Sequence, residues 1–525
     1  MPSLSPRIRL LIGLAGAIAM TLGSYGVGWI APLSGLHDIG VLEAVRHSRG
    51  AVLACGLLVA GGAVMLFTAW LALGLDLLSQ RRRVSGDPAA DASGSASVRT
   101  IAVSAATWSL PLLFSLPLFS RDMFAYLAQG RLVAAGFNPY ENGVSSVPGW
   151  FGIGVDPLWA DTATPYGPVF VWIERVVATV TEGFPHELGV FAFRLVAVAG
   201  LAMLAYFAWR IAHLRGRDAS VVLWLVAASP LALMNFVVAG HNDSLMLGLI
   251  AAGIFYALDR RPVLGAVLIG LAIGVKPIAI VALPIVGLIW AITAAGPGVR
   301  PAWGAVVRRW AAVTGIALGG IAVLGFALGV GVGWVAALAT PATISSWYAP
   351  ANIVGIALGG MANGVGIDGE IVQTVVKIAL LAGGCAVAAF LLIRRRDADP
   401  LLLLLGCFAA ITLVSPVIHP WYALWLLVFL AFAGIDGVKR LRVAVYSTAF
   451  FMIIGLAEPL DLVSQLDGSR LIPTAVIGAS LAGITALLLT AEGAYGRLVL
   501  PSGVRSRARA LAQARAVSAA SRPSV

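Results

Sequence analysis

Between Ser120 and Tyr140 the chain reads SRDMFAYLAQGRLVAAGFNPY, which sets a carboxylate, two guanidiniums, phenols and a carboxamide directly after a long apolar run. If a helix begins at Ser120, Asp122, Tyr126 and Gln129 share one face through spacings of four and three, while Met123 and Leu127 share another. A carboxylate placed there can take a proton from a substrate hydroxyl. The same residue could equally favour a helix N-terminus or pair with Arg121 or Arg131.

Further polar residues interrupt apolar runs far along the chain. They are Gly240-His241-Asn242-Asp243, Val275-Lys276-Pro277, the Trp347-Tyr348 pair within Thr343–Tyr348, and Ser415–Tyr422 with His419, Trp421 and Tyr422. Ionisable groups at membrane depth are costly, and by default they mark function. Singly, each has a plainer reading: His241 and Asp243 as hydrated loop residues, Lys276 as a snorkelling side chain, His419 as an interfacial anchor. Trp150, Trp159 and Trp172 read as membrane-belt residues rather than sugar platforms. Asp397-Ala398-Asp399 has the spacing of a metal-binding motif, but it follows Arg394–Arg396 at the start of an apolar run and reads as helix initiation. Cys55, Cys385 and Cys407 each lie in an apolar run, with neither a disulfide framework nor ligand spacing. No metal or other cofactor is expected.

The elements that carry these residues follow from composition. With 60% hydrophobic and 11% charged residues over 525 positions, and a mean hydropathy of +0.94, the chain is an all-α polytopic membrane protein. Runs long enough to cross begin with Leu10–Ile30, Ala51–Leu78 and Ile101–Phe119, and the rest fall between Leu188 and Thr490, for about fourteen in all. The first is read as a retained helix because its apolar core exceeds that of a signal sequence. Residues 1–100 hold two helices and a flexible linker, Val84–Ser97. Residues 101–496 form the main region, with an outer loop over 120–187 carrying interfacial helices. Residues 497–525 form a basic, disordered tail drawn to anionic headgroups.

The net charge of +11 does not point to nucleic acid, since the basic residues cluster in short segments between apolar runs. Placing both termini in the cytoplasm puts Arg81–Arg83, Arg210–Arg217, Arg260-Arg261, Arg300–Arg309, Arg394–Arg396 and Lys439–Arg442 inside. The Asp122 loop and the turns at His241, Ser345, Asp368, His419 and Asp461 then face outward.

Ser120-Arg121-Asp122, Tyr126–Gly130, Asn138-Pro139-Tyr140, Thr164-Pro165-Tyr166-Gly167-Pro168, Gly240–Asp243, Val275-Lys276-Pro277 and His419–Tyr422 together resemble the actinobacterial polyprenol-phosphomannose-dependent α-1,6-mannosyltransferases, over about Ile101 to Leu456. These are integral-membrane C-type (GT-C) glycosyltransferases. The resemblance implies a plasma-membrane GT-C bundle, a polyprenyl-phosphate-mannose donor and a lipid-anchored mannan acceptor, as in lipomannan and lipoarabinomannan assembly. It puts the catalytic role on Asp122. Lys276, His419, and Arg121 or Arg131 are then candidates for the donor phosphate, which needs charge and donors rather than a metal. Tyr126, Gln129, Asn138, Tyr140, Tyr166, His241, Asn242, Asp243, Trp347, Tyr348, Trp421 and Tyr422 are candidates for sugar or acceptor contact. The two N-terminal helices have no assigned role. The rival class is a transporter or flippase of polyprenyl-linked sugars, which shares the broken helices and polar cavity.

Overall fold

A backbone in hydrocarbon must satisfy its own hydrogen bonds, and helices do so locally. The computed structural model describes residues 4–84, 90–342, 345, 346, 348–435 and 437–457, and among them the regular elements are all helical. The basic tail and the run Ile472–Thr490 lie outside the described residues, as does Trp347.

The N-terminal helices are built into the core. Helix α1 (Pro6–Val27) starts at Ser5, whose hydroxyl accepts from the Ile8 N–H, with Pro6 in its first turn. It packs along α2 (Arg49–Val84) through facing glycines: a Cβ on Gly16 would come 2.6 Å from the Gly62 carbonyl oxygen, and one on Gly62 would come 2.5 Å from that of Gly16. Small residues let two backbones approach in this way. Arg9 and Asp76 close the pair with a 2.8 Å ion pair. Helix α3 (Ala90–Leu112) is tied to α1 by the Trp108 indole, which donates to the Leu10 carbonyl at 3.1 Å. It begins well before Ser97, so much of the stretch expected as a flexible linker is helical.

Next come α4 (Asp122–Ala134), α5 (Pro168–Val180), α6 (His186–Leu214) and α7 (Ala219–Val226). Trp70 of α2 and Trp224 of α7 stack at 4.5 Å, and each indole donates to the other's carbonyl at 2.9 and 2.8 Å. The chain continues through α8 (Asp243–Leu258), α9 (Pro262–Val275), α10 (Leu283–Ala295), α11 (Trp303–Ala327), α12 (Pro350–Asn363), α13 (Gly369–Arg394), α14 (Pro400–Thr412), α15 (Pro420–Ala433) and α16 (Val438–Ala457).

Among the described residues six helical segments are long and apolar enough to cross a membrane, and Ala219–Val226 with Pro230–Val238, bent by 40°, form a broken span or a re-entrant loop. Four runs expected to cross are shorter helices: α8, α9, α14 and α15 have 16, 14, 13 and 14 residues. At about 1.5 Å per residue none spans a core of about 30 Å alone. Prolines at the start of α9, α14 and α15 set these limits, because they supply no N–H to a preceding turn.

The outer loop also differs from expectation. Helix α4 does not lie on a surface; residues 123–130 are buried against α5 and α6. Gly130 makes this approach feasible, since a Cβ there would sit 2.1 Å from the Glu174 carbonyl oxygen. Asp399 caps α14 through the Leu401 N–H and pairs with Arg215 at 2.7 Å, which bears out helix initiation for Asp397-Ala398-Asp399.

Candidate active site

The chain reaches Asp122 through a strained turn. Phe119 sits at φ 67°, a left-handed conformation that costs a bulky residue about 1–3 kcal/mol and persists where surrounding packing imposes it. Ser120 then accepts the Asp122 N–H at 3.0 Å, and Asp122 opens α4. Its carboxylate, 17% exposed, lies 3.2 Å from Nδ1 of the fully buried His241.

His241 is delivered by a distortion. Residues Leu233–Val238 form a π-helical turn, a local irregularity often found at functional sites. Gly240 at φ 65° turns the chain, and a Cβ there would strike Met123 Sδ at 2.3 Å. The His241 N–H closes back on the Asn235 carbonyl at 3.1 Å. The ring stacks on Trp421 at 3.6 Å, and His419 stacks on Trp421 at 4.3 Å with an interplanar angle of 8°. Burial, opposed by the Asp122 charge, draws His419 down to about 3. It is neutral near pH 7 and offers hydrogen bonds rather than charge.

Lys276 stands at the break between α9 and the 3₁₀ turn Pro277–Ala282. Its Nζ donates to both carboxylate oxygens of Asp243, at 2.9 and 2.8 Å, and the Trp425 indole donates to the same carboxylate at 2.8 Å. Asp243 is completely buried, so its carboxylate is committed to Lys276 and Trp425. The Gly167 N–H donates to the Val275 carbonyl at 3.2 Å, which docks the Thr164–Pro168 motif against this break.

In front of them lies a cavity of about 730 Å³, whose lining does not include His241 or Asp243. Asp122, Arg121, Lys276 and His419 line it, with Tyr166, Trp421 and Tyr422. For Asp122, burial acts to raise the pKa, but the His241 hydrogen bond and the positive charge of Lys276 outweigh it and hold the carboxyl below its usual range. The result is an ionised base facing a cation across a sheltered space.

Other expected residues serve as scaffold. Gln129 accepts the Thr164 hydroxyl at 3.0 Å, the Tyr140 hydroxyl donates to the Tyr166 carbonyl at 2.9 Å, and the Thr164 N–H donates to the Pro139 carbonyl at 2.9 Å. Asn138 bonds Glu141 and the Tyr140 N–H. Tyr126 is buried in a cluster of edge-on rings with Tyr166, Phe170 and Phe193. Arg131 lies at the far end of α4, 3.1 Å from His186, away from the cavity lining. Asn242 is buried beside His241, and Tyr348 packs on Phe450 and Phe451. Among the described residues no group of three or more His, Cys, Asp or Glu is arranged to hold a metal ion.

Sequence reasoning misses Arg194, in the third turn of α6, although an arginine inside a crossing run is itself a signal. It is 3% exposed and donates to the carbonyls of Leu113 and Ser115 at 2.7 Å each and of Val238 at 2.9 Å. It therefore joins the chain entering the Asp122 turn to the one entering the His241 turn. Arg194→Met is expected to abandon three carbonyls, cost at least about 1–3 kcal/mol of stability, and lower turnover by displacing His241 from Asp122. Thermal unfolding and turnover of the purified variant check this.

A family model described as "Alpha-(1->6)-mannopyranosyltransferase, N-terminal domain" matches residues 10–294, and one described as "MptB C-terminal domain" matches residues 349–490. The chain is 33% identical to alpha-(1->6)-mannopyranosyltransferase A of Mycobacterium tuberculosis, over 87% of this chain and 84% of the relative. It is 30% identical to alpha-(1->6)-mannopyranosyltransferase A of Corynebacterium glutamicum, over 77% and 84%, and 26% identical to alpha-(1->6)-mannopyranosyltransferase B of the same organism, over 87% and 78%.

Proposed function

The chain belongs to the alpha-(1->6)-mannopyranosyltransferase family, and on that premise we propose that it transfers mannose from polyprenyl-phosphate-mannose to a lipid-linked mannan, forming an α-1,6 linkage on the outer side of the plasma membrane. The observation that carries this reading is the ionised Asp122 carboxylate facing the same cavity as Lys276 and His419.

In the proposed reaction a hydroxyl of the acceptor gives its proton to Asp122 while its oxygen attacks the anomeric carbon of a β-linked mannosyl phosphate from the opposite face. The bond from that carbon to the phosphate oxygen breaks, its electron pair leaves with polyprenyl phosphate, and the new linkage is α. A glycosidase needs a second carboxyl group to protonate an alkoxide leaving group. Phosphate leaves as a stable anion and needs preorganised charge and donors instead. Lys276 supplies the charge and neutral His419 an N–H. Aliphatic side chains of the cavity wall, among them Ile278, Val281, Leu338 and Ile411, suit an isoprenoid chain.

The positive-inside distribution supports cytoplasmic termini and an outward-facing cavity. With the bent pair and the four short helices, the six long ones would make eleven crossing or re-entrant segments among the described residues. The test is purified protein given polyprenyl-phosphate-mannose and octyl α-mannobioside. A trisaccharide with a new α-1,6 bond is expected. Movement of the donor across vesicles without a lengthened glycoside would replace this reading with the flippase.

A further inference from the structure

The cavity has a second wall that the donor chemistry does not use. Trp29 follows the end of α1, and its N–H donates to the Pro117 carbonyl at 2.9 Å. The end of α1 is held by Arg46, which donates to the carbonyls of Tyr25 at 2.9 Å and Gly28 at 2.7 Å. Arg121 lies 4.2 Å over the Trp29 ring. The same guanidinium donates to the carbonyls of Gly154 and Val155 at 2.9–3.1 Å and comes within 3.5 Å of Asp156. It thus braces two segments that each bring a tryptophan to the cavity, Trp29 from the N-terminal helices and Trp159 from the outer loop. Asp156 lines the cavity too, with a side chain 43% exposed.

Two indoles and a carboxylate are groups that recognise a pyranose: ring C–H faces lie on the indoles, and hydroxyls bond the carboxylate. Arg121 precedes Asp122 in the chain, so this wall adjoins the base. Lys276 leads instead into Ile278 and Val281 of the aliphatic wall, where a polyprenyl chain fits and a glycan does not.

Resting on the transferase reading, we propose that Trp29, Trp159 and Asp156, braced by Arg121, form the subsite for the terminal mannosyl unit of the acceptor. The N-terminal helices then acquire a role, carrying one face of the acceptor site. Trp159 is a sugar platform rather than a belt residue, and Arg121 serves the acceptor side, its donors already engaged away from the donor phosphate.

The test is equilibrium binding of octyl α-1,6-mannobioside to the full-length protein in detergent, read by calorimetry and so independent of transfer. Trp29→Ala and Trp159→Ala are each expected to weaken Kd at least about tenfold, and Trp29→Phe and Trp159→Phe to recover most of it, the loss of an aromatic face being worth that much. Trp172→Ala, on an exposed face of α5, is expected to bind as the unsubstituted protein does. In the transfer assay the two alanine variants are expected to raise acceptor KM at least about tenfold and donor KM less than about threefold. Unchanged binding in both alanine variants, or a loss that phenylalanine does not restore, overturns the subsite. Intact, tryptophan-dependent binding without any mannose transfer supports the subsite and sinks the transferase reading instead.

Discussion

Asp122→Asn is expected to reduce mannose transfer by about 10²–10⁴-fold, the usual contribution of a positioned general base, while leaving the protein folded. The substitution keeps the shape of the side chain and a polar atom facing His241, whose Nδ1 lies 3.2 Å from the native carboxylate. It removes the capacity to take a proton together with the negative charge that faces His241 and Lys276. Turnover of purified, monodisperse variant with saturating donor and acceptor is the measurement, and near-normal turnover would sink the assignment.

The same residue sets a pH dependence. Its carboxyl is buried, which acts to raise its pKa, yet His241 and Lys276 together hold it below the ordinary carboxylate value. The base is therefore fully ionised through the neutral range, and no loss of rate from this group is expected between about pH 5 and 8. Rate falls only as pH drops through the depressed folded value. Stability follows the same sign: the contribution of the Asp122 interactions is complete above the unfolded pKa of about 4 and is lost as pH falls through the folded one.

Lys276→Met is expected to be the most destabilising single change in the site. It leaves the wholly buried Asp243 carboxylate with the Trp425 N–H but without its two contacts to Nζ, at 2.9 and 2.8 Å. Breaking one side of a buried ion pair typically costs about 3–5 kcal/mol, whereas replacing both partners by apolar residues is often close to neutral. Lys276→Met with Asp243→Leu is therefore expected to restore the thermal midpoint. If Lys276 also meets the donor phosphate, the double variant folds but transfers poorly, with raised donor KM. Normal transfer by a stable double variant would remove Lys276 from the phosphate site.

Some features are legible because they are local. A hydrophobic excess with basic residues confined to short segments specifies a membrane bundle whatever the helices touch. The prolines at 277, 400 and 420 and the polar runs at 240–243, 275–277 and 419–422 mark breaks that the structure also has. Two of these breaks, at 275–277 and 419–422, line one cavity with Asp122, and the third sets buried His241 against it. Less legible is what each break becomes. Counting apolar runs does not measure helix length, and among the described residues α8, α9, α14 and α15 end before they could span a bilayer alone.

Partner choice is not legible at all. Asp243 and Lys276 are 33 residues apart and look in the sequence like separate sugar and phosphate ligands, yet the start of α8 and the end of α9 bring them together as an ion pair. Gln129 and Tyr140 carry the polarity of binding residues but bond the Thr164–Tyr166 motif, and Asn138 is taken up by Glu141 and the Tyr140 N–H. Trp29 has no motif, and it reaches the cavity because Arg46 and Pro117 hold the end of α1 there.

The stretch from Ser120 to Tyr140 thus divides between the two levels. Sequence alone determined the membrane class, the polar breaks and a carboxylate at position 122 beside an apolar run, since each depends on neighbours along the chain. Only the tertiary structure decided that Asp122 faces His241, that Arg121 braces Trp29, and that Arg131 turns away. Such pairings depend on helix rotation and crossing, which arise from close packing between residues far apart in sequence.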